Sequence, residues 1–72
     1  MNEKEQLLFM QIRILRMTAE KTGLSLKETA QLFKAFDVLS YIREGYGIFH
    51  TEGDEAVFED VKAYMKAKGA QV

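Results

Sequence analysis

Histidine is the side chain that most often serves as a base near neutral pH, and this chain has one, His50. A nucleophile needs such a base within reach, and the base needs a third group to orient it. The two serines are Ser25 and Ser40. Ser25 stands three residues before Glu28, the S-x-x-E spacing of a helix capping box, so its oxygen already has a structural use. Ser40 falls at a polar position of a short helix. No triad is assembled, so no enzymatic activity is expected. His50 is expected to bond nearby backbone or side-chain groups and to order the entry to the last helix.

Metal and phosphate chemistry are equally thin. His50, Glu52, Asp54 and Glu55 offer nitrogen and oxygen ligands within a short stretch. Carboxylates at the start of a helix are, however, what the helix dipole alone favours. Cysteine is absent, which excludes a thiolate zinc site and any disulfide. Gly45-Tyr46-Gly47 lacks the further spacing and the Lys-Ser/Thr of a phosphate loop. No metal or cofactor is expected.

Two binding chemistries remain. The stretch Ser25–Glu44 has the layout of a helix-turn-helix, whose reading helix would carry Ser40, Tyr41, Arg43 and Glu44. One arginine beside a glutamate is a poor tool for phosphates or base edges. Ten basic residues against eleven acidic ones, a formal charge of −1, also give no general pull on nucleic acid. A DNA-binding regulator is therefore the alternative reading. The favoured one is a protein surface: Phe9 sits in a polar arc between Arg13 and Arg16, and Tyr41, Tyr46 and Phe49 form an aromatic series. Aromatics and arginines are enriched where proteins meet, although a single exposed aromatic is also normal. Phe9, Arg13, Arg16, Tyr46, Phe49, His50 and Thr51 are the candidate interaction surface. The partner is a foreign protein or a second copy of the chain.

The elements that must position these residues are helical. Seventy-two residues suffice for one domain. A chain this size hides roughly 60% of its unfolded surface and retains a net stability of roughly 4–11 kcal/mol. Glu3 to Thr22 forms the first helix, with Asn2 and Glu5 at capping-box spacing and Gly23 as its left-handed terminator. Its apolar residues Leu7, Leu8, Met10, Ile12, Ile14, Leu15, Met17 and Ala19 cover a wide arc, which suits a central helix or a subunit interface. Ser25 starts a second helix that ends near Phe36 or Asp37, with Leu26, Ala30, Leu32, Phe33 and Phe36 on one face. Asp37 caps a short third helix that Gly45 ends, or the second and third helices run together with a kink, since no glycine or proline separates them. Tyr46 to Thr51 reads as an extended connector, a candidate single strand needing a partner for its backbone groups. Asp54 to Lys68 forms the last helix, acidic at its start and basic at its end, with Gly69 beyond it. Ala70-Gln71-Val72 is expected to fray. No apolar run approaches the ~18 residues of a bilayer span. The mixed charge of Met1 to Glu5 lacks a signal peptide's basic start, so a cytoplasmic location is the default.

Tyr46-Gly47-Ile48-Phe49-His50-Thr51-Glu52-Gly53, followed by Val57, Asp60, Val61, Tyr64 and Lys68-Gly69, resembles a family of short bacterial proteins, domain-of-unknown-function family 3791. Gly23-Leu24-Ser25-Leu26-Lys27-Glu28 and Tyr41-Ile42 extend the likeness over most of the chain. Phe49 stands where leucine is expected, and Glu52 where glutamine is usual. The resemblance transfers no catalytic residue. It implies a small accessory or antitoxin-like partner, because members are often encoded beside proteins that look like ADP-ribosyltransferases. The expected fold is all-α: a single domain over 1–72, a bundle of about four helices with a short extended connector before the last.

Overall fold

A computed structural model describes residues 2–72 as four helices: α1 (Glu3–Thr22), α2 (Leu26–Ala35), α3 (Val38–Phe49) and α4 (Asp54–Ala67). The all-α class expected above is what forms. Local chemistry sets most boundaries. The Asn2 side chain accepts from the Glu5 amide at 2.9 Å, half of a capping box. Gly23 closes α1 at φ 76°, a conformation that glycine adopts without a Cβ penalty. At α2 both halves of the box are made. The Glu28 amide donates to Ser25 Oγ at 3.0 Å, and the Ser25 amide donates to Glu28 Oε1 at 2.9 Å. Those bonds favour the charged form and hold the Glu28 carboxyl below its ordinary pKa.

Helices α2 and α3 are separate, although neither glycine nor proline divides them. Asp37 turns the chain by taking the left-handed conformation at φ 55°, which aspartate tolerates better than most residues. Its side chain makes no cap bond, contrary to the cap expected of it.

The main correction falls at 46–51. The expected extended connector is helix: α3 continues through Gly45, Tyr46, Gly47 and Ile48 to Phe49, and the described residues contain no strand. Two facts explain it. Ile42 and Phe49, one face of α3, are buried and anchor its last two turns to the core. The final carbonyls also find side-chain donors. His50 Nδ1 lies 2.8 Å from the Tyr46 oxygen, and Thr51 Oγ1 donates to the Ile48 oxygen at 2.6 Å. A helix end whose orphan acceptors are satisfied this way needs no glycine to stop it.

Met10, Ile14, Phe33, Val38, Ile42, Phe49, Val57, Val61 and Met65 form the core, with at least one residue from each helix. Helix α1 is central, packing against the other three. Its wide apolar arc divides accordingly. Met10 and Ile14 are buried, Leu7 and Leu15 half-buried, and Leu8 and Ile12 face outward, as does Phe9 in the polar arc beside them. The buried hydroxyls of Thr18 and Thr29 are satisfied by the carbonyls of Ile14 and Ser25, one turn earlier. At the far end the tail is not loose: the Ala70 amide donates to the Met65 oxygen at 2.9 Å, and Ala70 and Val72 pack on the core. Among the described residues no helix is long and apolar enough to cross a membrane.

Candidate functional site

An open cleft of about 580 Å³ lies between α1 and the α3–α4 corner, lined by residues that include Phe9, Ile12, Arg13, Arg16, Tyr46 and His50. Five of the seven candidate surface residues therefore meet at one place: Phe9, Arg13, Arg16, Tyr46 and His50. Spacing on α1 accounts for most of it. Phe9, Ile12, Arg13 and Arg16 stand at i, i+3, i+4 and i+7, one face of a helix. Tyr46 is drawn to that face by its hydroxyl, which donates to Gln6 Oε1 at 3.2 Å.

The other two candidates lie elsewhere. Phe49, expected on the surface, is only 6% exposed, and its ring packs against Tyr41 with centroids 5.5 Å apart. Thr51 is exposed but outside the cleft, and its hydroxyl closes the end of α3. Ile12 and Glu52, absent from the sequence-derived surface, do line the cleft. Ile12 was discoverable, because it sits one turn from both Phe9 and Arg16 on the same face. Glu52 was not, because its position depends on where α3 stops.

Electrostatics separate the two arginines. Arg13 Nε donates to Asp54 Oδ2 at 3.0 Å, tying the middle of α1 to the first turn of α4. Lys21 makes a second tie, 3.1 Å from Glu55 Oε2. Arg16 has no ion pair among the described residues and remains a free cation at the cleft edge. His50 stacks on Tyr46 with centroids 5.3 Å apart. A carbonyl only accepts, so the bond to the Tyr46 oxygen puts the proton on Nδ1 and leaves Nε2 as the imidazole's acceptor. The histidine therefore bonds back to the end of α3, where the sequence reading has it ordering the entry to the last helix.

The four ligand-type side chains at 50–55 are dispersed. His50 turns to Tyr46, Asp54 to Arg13 and Glu55 to Lys21. Glu52 turns inward: its Oε2 is buried without a donor. Burial raises its pKa from the ordinary 4.5, and the neighbouring Asp60 carboxylate raises it further.

A prediction follows from the sign of that shift. Because Glu52 binds its proton more tightly in the folded chain, its contribution is complete below 4.5 and is lost as pH rises through the elevated folded value. Glu52→Gln puts an amide in place of the carboxyl beside Asp60 and removes the charge. The variant is expected to melt higher than wild type at neutral pH, with a flatter dependence through the carboxylate range. Thermal unfolding followed across that range checks it, and equal curves for the two proteins would contradict it.

Beside the cleft the exposed apolar surface continues. Leu8, Phe9 and Ile12 are 52%, 43% and 36% exposed and share the outer side of α1. Arg16 also lines a shallower cleft with Ala19, Glu20, Leu24 and the exposed Leu26. The arrangement is an apolar strip with a free arginine in its course and an aromatic-histidine wall on one side.

No curated protein and no solved structure shows significant similarity to the chain. The family model described as "Protein of unknown function (DUF3791)" matches residues 9–68, which takes in α1 from Phe9 onward and all of α2, α3 and α4. By that match the chain belongs to this family.

Proposed function

We propose that the chain is a non-enzymatic protein-interaction module whose binding face is the outer side of α1 with the cleft beside it. The observation that carries this reading is the clustering of Leu8, Phe9 and Ile12, three large exposed apolar side chains, next to Arg16, which has no ion pair among the described residues. Scattered exposed apolar residues are ordinary, whereas a contiguous group beside an arginine and aromatics has the composition of an interface core. His50 and Tyr46 stiffen one wall of the cleft through their mutual stacking and their bonds to α3 and α1. Preorganisation of that kind favours binding by lowering the ordering cost.

An ADP-ribosyltransferase-like protein is the foreign partner to test first, with this chain as its accessory or antitoxin-like companion. The support is the genomic association implied by the family resemblance. A helix-turn-helix role has less behind it. Arg43, the one basic side chain of α3, turns back to Ser40 Oγ at 3.2 Å, with Glu44 beside it.

Co-expression of the tagged chain with such a protein tests the reading. Co-elution is expected, with affinity reduced about 30-fold or more by Phe9→Ala if Phe9 is an anchor residue. Association indifferent to Phe9→Ala, or salt-sensitive retention on DNA in its place, would contradict it.

A further inference from the structure

Four exposed side chains along α1 have a symmetry that the individual residues do not show. Glu5, Phe9, Ile12 and Arg16 are spaced four, three and four apart. At 100° per residue they occupy a strip about 60° wide and about 16 Å long. The spacing is the same from either end. Reversed, it exchanges Phe9 with Ile12 and Glu5 with Arg16. Leu8 flanks the strip on the Ile12 side.

From this we infer that the occupant of the α1 face is a second copy of the chain, packed antiparallel about a two-fold axis that passes between Phe9 and Ile12. The inference rests on the interaction-module reading and names its partner. In that pairing Phe9 meets the partner's Ile12, and Glu5 meets the partner's Arg16, twice over. Charge complementarity selects this arrangement. Neither Glu5 nor Arg16 has an ion-pair partner within its own chain among the described residues, whereas Arg13 and Lys21 of the same helix are both engaged with α4. Parallel packing in the same register would set like charges against each other. Antiparallel packing also opposes the helix dipoles favourably. A self-complementary patch closes at two copies and does not propagate.

The strip is smaller than the about 800 Å² per partner of a standard interface, so association depends on concentration. Sedimentation equilibrium of the full chain, from micromolar concentrations upward, is the test. The mass is expected to climb from 8.3 kDa toward twice that value. Arg16→Glu and Glu5→Arg should each weaken association about tenfold, because each replaces two attractive pairs by two repulsive ones. The double variant Glu5→Arg/Arg16→Glu restores attraction in every pair and should regain near wild-type association. All four positions are on the surface, and unchanged circular dichroism verifies that the variants fold. A mass of 8.3 kDa at every concentration overturns the inference, as does a double variant no better than its singles. A monomer that still captures a foreign protein through Phe9 overturns the self-pairing alone. A monomer whose partner capture ignores Phe9 overturns the interaction-module reading as well.

Discussion

Phe49→Ala is expected to lower stability by about 3–5 kcal/mol, the cost of removing a large aromatic from a packed core. Against a total of roughly 4–11 kcal/mol for a chain of this length, the variant would be close to unfolding. The side chain is 6% exposed, belongs to the central cluster and packs on the Tyr41 ring, which is itself stacked on Tyr64 at 4.0 Å between centroids. Removing it therefore loosens the joint between α3 and α4. Phe9→Ala is the control: a surface truncation of this kind stays within about 0.5 kcal/mol. Urea unfolding of the two variants separates them. Equal costs would mean that Phe49 is not a core residue and that α3 does not run through the motif.

A second large effect is expected at Gly45, with the opposite sign at Gly47. Both glycines lie inside α3, where alanine ordinarily gains about 1 kcal/mol over glycine. A Cβ on Gly45 would stand 2.7 Å from Phe49 Cζ and 2.9 Å from Cδ2, and closer still to Cε2. That ring is buried and has no free side to retreat to, so overpacking of about 1–3 kcal/mol outweighs the propensity gain. Gly45→Ala should be destabilising by about 1–2 kcal/mol net. A Cβ on Gly47 meets nothing within 4 Å, and Gly47 is not among the positive-φ residues. Gly47→Ala should therefore stabilise by about 0.5–1 kcal/mol. In a domain of this size each kcal/mol moves the melting temperature by about 4–8 °C, so thermal unfolding reads both signs. Two stabilising substitutions would show that the Phe49 ring is not seated over Gly45.

These glycines also explain what the sequence concealed. Gly45 and Gly47, set among aromatics, look like helix breakers. Gly45 is there because Phe49 folds back over the helix one turn later, a fact that only the tertiary packing reveals. The end of α3 depends on His50 and Thr51 side chains reaching carbonyls, which no propensity encodes. Asp37 hides the α2–α3 turn for a similar reason: aspartate reads as an N-cap, yet here it supplies a left-handed backbone. Where the signal is local, the sequence was legible. Ser25 with Glu28 makes the capping box its spacing implies, Gly23 ends α1, and the acidic start of the last helix at Asp54 and Glu55 is the first turn of α4. Part of the site was legible because a helix face follows from spacing alone, which assembles Phe9, Arg13 and Arg16. That Tyr46 and His50 join them, and that Phe49 does not, depended on α3 being one turn longer than its glycines suggest.

The outer face of α1 as the binding face is the claim on which the rest depends. Amide chemical shifts followed as the protein is concentrated test it most directly, since they report every position at once. The account predicts shifts clustered from Glu5 to Arg16, extending to Tyr46 and His50 across the cleft, with the exposed residues Glu59 and Lys66 of α4 unmoved. Shifts centred on α4, with α1 silent, would contradict it.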